Sequence, residues 1–316
     1  MDAKGIKIIY FGTSHFAEII LDKLISEGFE IIAVVTQPDK KAGRKQMYVS
    51  SPVKQLSEKY SISVLQPDTF NDEAIIRKLG NMKPDLFVVA SYGKILPKAV
   101  LGVPRFGCIN IHASLLPKYR GASPIQNAIL NGEKETGVTL MLMNEKMDQG
   151  DIIAQESVDI KKAENTEMLS ERLAKVGAEL TVRTVPLWTG GKIKAKKQDE
   201  NLATYCRPIR KEDGRIDWRN SAEEIERRFL AFQIWPGIWT EIKQNSKRLK
   251  LLSIKPEGES MGGEDAGKVI KYDQKAAVQT GKGIIILEEV QLEGKKAVPI
   301  SDFLKGNQNF IGSRIG

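Results

Sequence analysis

Two cysteines and two histidines are all that this 316-residue chain has of the side chains that most readily bind metals or form cross-links. Cys108 and Cys206 lie far apart in ordinary surroundings, which excludes a disulfide framework and a zinc spacing and makes a reducing cytosol the expected compartment. No apolar run is long enough to span a bilayer and no charged leader precedes an apolar stretch, so neither membrane insertion nor export is expected. No P-loop or G-x-G-x-x-G follows the first apolar run, where Gly12 stands alone, and no serine-centred nucleophile elbow occurs. Dinucleotide binding and acyl-enzyme chemistry lose ground accordingly. Internal repeats and low-complexity tracts are also missing. Acidic residues fall short of basic ones, 40 against 48, and the resulting net charge of +8 suits a polyanionic partner without proving one.

What is present reads as two domains, as the length suggests. From Ile6 to about Gly190, short β-branched runs alternate with helical patterns, the signature of a parallel α/β sheet. Ile6 to Phe11 is a strand, and Phe16, Ile19, Ile20 and Leu24 recur at helical spacing until Gly28 stops the helix. Further strands are expected at Ile31–Val35, Asp85–Ala90 and Cys108–Ile111, and a helix after Ser123-Pro124. Residues 191–207 carry Lys192, Lys194, Lys196 and Lys197 and read as an exposed basic linker. Beyond it, one helix near Ala222 to Phe232 precedes strands at Gly237–Ile242, Arg248–Ile254, Gly267–Ile270, Ala276–Thr280 and Gly283–Leu287, which suggests a small β-barrel or sandwich. The assignment is a catalytic domain over 1–190, a linker over 191–207 and a β domain over 208–316.

With so few histidines the search for chemistry is short. His15 sits in the first strand-to-helix turn and reads as a surface or capping residue. His112 follows Asn110 by two positions in Ile109-Asn110-Ile111-His112, so an extended chain projects both side chains to one face at a strand end. In open α/β sheets that end meets the ligand crevice, where an amide can hold an oxyanion and an imidazole can move a proton. A polar pair that merely caps a buried strand fits the spacing equally well. Met147-Asp148-Gln149-Gly150-Asp151 supplies two carboxylates, either of which could orient the histidine, although Asp and Gly are also ordinary turn formers.

The run Asn110-Ile111-His112-Ala113-Ser114-Leu115-Leu116-Pro117-Lys118-Tyr119-Arg120-Gly121-Ala122-Ser123-Pro124-Ile125 closely resembles the signature of 10-formyltetrahydrofolate-dependent formyltransferases, and residues 147–151 match that family's second block. Phe11-Gly12-Thr13, the loop from Thr36-Gln37-Pro38-Asp39 through Ala42-Gly43-Arg44 to Ser51-Pro52, Arg215-Ile216-Asp217-Trp218 and Trp235-Pro236 are similar to the branch that acts on methionyl-tRNA. Ser14 departs from the family, which usually has proline there. The resemblance implies a Rossmann-like formyltransferase domain followed by an OB-like β-barrel, with catalytic residues Asn110, His112 and Asp148. It implies 10-formyltetrahydrofolate as co-substrate and no metal. Folate contacts are expected at Ser114, Leu115, Leu116 and Pro117 and around Tyr92, Gly93, Lys94, Ile95 and Leu96, although Leu115 and Leu116 could equally be core.

The same resemblance implies charged initiator tRNA as the partner, and the chain is expected to be a cytoplasmic monomer. The acceptor stem of the tRNA is expected at the long loop with Lys40, Lys41, Arg44 and Lys45, and its phosphates at Lys192, Lys194, Lys196, Lys197 and the second domain. A solvated charge run is the competing account of the loop, and Trp218, Trp235 and Trp239 are expected in the core. A rival within the family formylates a UDP-linked amino-arabinose. The Ala42-Gly43-Arg44 insertion and Gly294-Lys295-Lys296-Ala297 favour the tRNA branch. An RNA-binding protein with a degenerate site is disfavoured by the intact catalytic trio.

Overall fold

The computed structural model describes residues 5–42, 47–242, 247–258 and 265–316, and of Lys41 and Ala42 only the backbone. It divides into two compact units. The first contains residues 5–124, 134–160 and 168–207, and the second contains 125–133, 161–167 and 208–316. Both units thus borrow across the expected boundary at 190, and residues 191–207 group with the first unit.

In chain order the elements begin with β1 (Lys7–Gly12), α1 (His15–Ser26), β2 (Glu30–Val35), β3 (Lys40–Ala42), β4 (Met47–Val49), α2 (Pro52–Lys59), β5 (Val64–Leu65) and α3 (Glu73–Asn81). They continue with β6 (Leu86–Ala90), α4 (Lys98–Leu101), β7 (Cys108–His112), β8 (Arg120–Gly121), α5 (Pro124–Leu130), β9 (Glu135–Leu142), β10 (Ile152–Asp159), α6 (Thr166–Thr189) and β11 (Tyr205–Cys206). Seven strands form one sheet in the order β10-β9-β7-β6-β1-β2-β5. The five from β7 to β5 are parallel, whereas β9 and β10 run antiparallel at one edge, a refinement of the all-parallel expectation. The burial of each strand explains the difference. In β6 every residue is buried, as a strand covered on both faces requires, while β10 exposes every second residue from Gln155 onward, as an edge strand with one wet face does.

The core beneath the sheet's ligand edge is aromatic. Phe11, Phe87, Tyr92 and Phe70 cluster with Ile9, Val89 and Leu96, and the Phe11 ring lies 4.9 Å from Phe87 and 5.6 Å from Tyr92. The turns after β1, β2 and β6 are tied together at the carboxyl ends of these strands. Thr13 Oγ1 donates to Tyr92 O at 3.1 Å and Gln37 Nε2 donates to the same carbonyl at 2.8 Å. His15, as expected, is an exposed helix-start residue paired with Glu18.

The second unit holds α7 (Ala222–Phe232), β12 (Ile238–Ile242), β13 (Lys247–Glu257), β14 (Val269–Tyr272), β15 (Lys275–Gln279), β16 (Ile284–Leu292), β17 (Ala297–Pro299) and α8 (Ile300–Lys305). Helix α7 starts on a capping box in which Ser221 Oγ accepts from Glu224 N and Glu224 Oε2 accepts from Ser221 N. The strands pair antiparallel in the order β12-β13-β16-β15-β14, with β17 also on β16. Bridges from Ile315 to Ile242 and from Arg314 to Lys268 join both edges of that sheet, so it closes on itself in the manner of a small barrel. Trp218 and Trp239 are buried there, as expected. Trp235 is not. It stands 56 % exposed in the turn between α7 and β12, outside the alternation that points Trp239 inward.

Candidate active site

Strand β7 sets the site. Ile109 and Ile111 are buried, and the alternation puts Asn110 and His112 together on the opposite face at the strand's carboxyl end. His112 Nε2 lies 3.0 Å from Tyr119 O. A carbonyl can only accept, so Nε2 carries a proton, and the lone pair of the neutral ring is on Nδ1. That nitrogen is 3.7 Å from Asp148 Oδ1, with both side chains nearly out of contact with water. The separation is too long for a hydrogen bond but short enough that an imidazolium would be stabilised by roughly 4 kcal/mol at an effective dielectric constant of about 20. Asp148, not Asp151, is therefore the carboxylate that faces the histidine.

Asp148 is held from several sides. Its Oδ2 accepts the Gly121 N–H at 2.8 Å, and its carbonyl accepts from Gln198 Nε2 at 2.9 Å. Its backbone sits at φ +53°, the left-handed region that L-residues avoid unless held there. Gly121, at φ +120°, has no room for a side chain, since a Cβ would stand 2.1 Å from Cys206 O. Asn110 is half-buried and its amide makes no hydrogen bond among the described residues, unlike an amide spent on capping a strand. The geometry thus sets a free amide, an imidazole with an available lone pair and an anchored carboxylate around one strand end, an arrangement suited to acyl transfer.

Of the expected folate residues, Tyr92 commits its ring to the core and its carbonyl to Thr13 and Gln37, and burial pushes its hydroxyl pKa up to about 12. Gly93 and Ile95 are exposed beside it and Leu96 is buried. Lys94 Nζ donates to Pro67 O and Asp68 O. Residues 114–117 are braced instead against β9 and β10. Ser114 Oγ donates to Lys118 O, Thr139 Oγ1 donates to Ser114 O, Leu116 N donates to Thr139 Oγ1, and Gln155 Nε2 donates to Leu116 O. Leu115 packs against Gly137, and the peptide between Leu116 and Pro117 is cis. No hydrogen bond among the described residues joins 114–117 to 92–96. A cleft of about 580 Å³, lined in part by Lys98, Leu101, Met143, Lys146, Gln149 and Glu200, adjoins the Asp148 loop.

Among the basic residues, Lys192, Lys194, Lys196 and Lys197 are all exposed, and Lys40 is exposed with Nζ on Gln37 Oε1 at 2.7 Å. The Lys41 side chain, Arg44 and Lys45 lie outside the described residues. Sequence reasoning missed three groups that touch the site: Tyr119 O, Gly121 N and Gln198. The first two stood within the quoted motif as backbone groups, which side-chain chemistry does not flag. Among the described residues no group of His, Cys, Asp and Glu gathers as a metal site would need, and no helix is long and apolar enough to cross a membrane.

Residues 5–185 match the model of the formyl transferase family, and residues 208–308 match that of its C-terminal domain. The chain belongs to the formyl transferase family. It is 41 % identical over 313 residues to a methionyl-tRNA formyltransferase of Geobacter sulfurreducens, covering 99 % of this chain and 97 % of that one. To the protein of the same name from Alkaliphilus oremlandii it is 42 % identical over 312 residues, covering 98 % and 99 %. Among solved structures, HypX of Aquifex aeolicus in complex with tetrahydrofolic acid superposes with a TM-score of 0.66 at 18 % identity, over 96 % of this chain and 48 % of that one. The chain thus spans about half of HypX. WlaRD, a sugar 3N-formyl transferase, gives a TM-score of 0.64 at 21 % identity over 92 % and 99 %. At these identities the two structures speak to the fold alone.

Proposed function

We propose that the chain transfers the formyl group of 10-formyltetrahydrofolate to the α-amino group of methionine on charged initiator tRNA, giving N-formylmethionyl-tRNA. The observation that carries the chemistry is the His112 ring, whose Nε2–H is spent on Tyr119 O while Nδ1 faces Asp148 Oδ1 beside the free Asn110 amide. Likeness to curated methionyl-tRNA formyltransferases over nearly the whole chain supports the acceptor.

In this reading the neutral amine attacks the formyl carbon and a new C–N bond forms. Asn110 donates to the formyl oxygen as it becomes an oxyanion. His112 Nδ1 takes the proton that the attacking nitrogen releases, and Asp148 stabilises the imidazolium. The proton then passes to N10 as the old C–N bond breaks, so N10 leaves as a neutral amine and the balance of protons closes. The folate lies at the carboxyl end of β7, where its formyl group meets Asn110 and His112. The exposed turn at Gly93 and Ile95 offers it backbone groups, and residues 114–117, braced against β9 and β10, serve as a rigid wall. Phosphates of the tRNA meet Lys192, Lys194, Lys196 and Lys197, and the acceptor stem meets the loop that contains Lys40, Lys41, Arg44 and Lys45.

The test is formyl transfer from 10-formyltetrahydrofolate to charged initiator tRNA, to free methionine and to a UDP-linked amino sugar. Rapid formylation of the tRNA alone is expected, because binding energy from the tRNA body positions the amine. Transfer to the sugar and not to tRNA would assign the chain to the other acceptor class, and equal rates on free methionine would remove the role of the tRNA.

A further inference from the structure

The stretch that reads as a basic linker contains a side chain aimed into the catalytic loop. Gln198 Nε2 donates one proton to Asp148 O at 2.9 Å and the other to Gly150 O at 2.7 Å. On its other side, Gln198 Oε1 accepts from Arg120 Nε at 3.0 Å and from Arg120 Nη2 at 2.8 Å. Only a primary amide offers two donors and a two-lone-pair acceptor at opposite corners of one plane. The position therefore demands Gln chemically, and neither a carboxylate nor an ammonium can replace it.

Arg120 anchors the amide. It is the largest fully buried side chain among the described residues, and its remaining N–H groups reach Glu200 through two hydrogen bonds of 2.8 Å and Tyr205 Oη at 3.1 Å. Those bonds hold the Glu200 carboxyl below its ordinary pKa. The same segment supports the groups that touch His112 and Asp148 directly. Tyr119 N donates to Thr204 Oγ1, Arg120 N donates to Thr204 O, and Ala122 N donates to Cys206 O, which fixes the strand carrying Tyr119 O and Gly121 N. Asp148 itself has the left-handed backbone described above, and such a conformation persists only where the surroundings impose it.

We propose that Gln198 is a positioning residue for Asp148, and that residues 198–206 form a working wall of the active site instead of a tether between domains. The inference rests on the role given above to Asp148. Gln198 touches neither the formyl group nor the amine. It holds two carbonyls of the turn that carries the carboxylate, so its loss should reach catalysis through the angle at which Asp148 meets His112.

Gln198→Glu is the discriminating variant, because the carboxylate still accepts from Arg120 and keeps that clamp while both donors to the Asp148 and Gly150 carbonyls vanish. Gln198→Met, of similar length and without charge, separates donor loss from the added negative charge. Steady-state kinetics with charged initiator tRNA, thermal melting and the same substitutions in an Asp148→Ala background are the measurements. Both single variants should lower kcat by about tenfold to a hundredfold with each KM changed less than about twofold, and Gln198→Glu should melt within a few degrees of wild type. In the Asp148→Ala background the further loss should shrink to less than about twofold, because the group being positioned is gone. A folded Gln198→Glu enzyme with wild-type kcat, or an equal loss with and without the Asp148 carboxylate, overturns the proposal while leaving the formyl-transfer reading intact. Wild-type activity in Asp148→Ala, or no transfer to tRNA by the unaltered protein, defeats that reading and this proposal together.

Discussion

Gly150→Ala should damage stability and catalysis by one and the same displacement. An ideal Cβ at position 150 would stand 1.7 Å from Leu142 O, 2.8 Å from Leu142 C and 3.4 Å from Met143 Cα. All three are atoms of the main chain, so no side chain can swing away, and the turn must lift by about 1.5–2 Å to restore an ordinary contact distance. The lift acts on the hydrogen bond from Leu142 N to Asp151 O and on the bond from Gln198 to Gly150 O. Overpacking of this kind costs about 1–3 kcal/mol, which for a protein of this size lowers Tm by roughly 2–10 °C. Asp148 lies two residues upstream on the same turn. A shift of about 1 Å in its carboxylate would cost on the order of a hundredfold in kcat. Gly80→Ala is the matched control, since a Cβ there meets nothing within 4 Å and the position lies in α3, so alanine should be neutral or stabilise by up to about 1 kcal/mol. Differential scanning calorimetry and formylation kinetics on both variants check the reasoning. A Gly150→Ala enzyme with wild-type Tm would refute the steric argument, and one with lowered Tm but unchanged kcat would show that the turn does not govern Asp148.

Asn110→Ala should lower kcat by about a hundredfold to a thousandfold, the usual loss of one oxyanion donor, with native circular dichroism; retention of more than a tenth of kcat would remove Asn110 from that role. Ser14→Ala should leave stability unchanged or raise it by up to about 1 kcal/mol, because the Ser14 hydroxyl is buried without a partner and makes no capping bond to α1, and a clear fall in Tm would contradict this. Burial raises the Glu226 carboxyl above its ordinary pKa, so its charge destabilises the folded state above that raised value and the penalty is absent below the unfolded-state pKa. Glu226→Gln should accordingly melt higher than wild type at pH 7, with the gain gone by about pH 4; an equal gain at both values would rule out the ionisation as its cause.

Sequence periodicity showed most clearly where one strand or helix decides the outcome by itself. The two-residue spacing of Asn110 and His112 placed them on one face because β7 is regular through both, and α7 covers the span expected of it, with a capping box of Ser221 and Glu224 at its start. The five strands expected after Gly237 all appear, since each is bounded by its own turn. What could not be read depends on pairs distant in sequence. Nothing local to Asp148 distinguishes it from Asp151; the choice is made by the Gly121 N–H, 27 positions away. Residues 191–207 looked like a tether because Lys192, Lys194, Lys196 and Lys197 all face water, and an alternating charge pattern gives no sign of what the intervening backbone does. That backbone pairs with the first unit at Lys196 and again at Tyr205 and Cys206, while between these points Gln198 turns inward. One short segment can therefore leave its lysines to water and still hold the turn that carries Asp148. A substitution at Gln198 and one at its lysine neighbour Lys197 should fail in different ways, the first in kcat and the second in the salt dependence of tRNA binding.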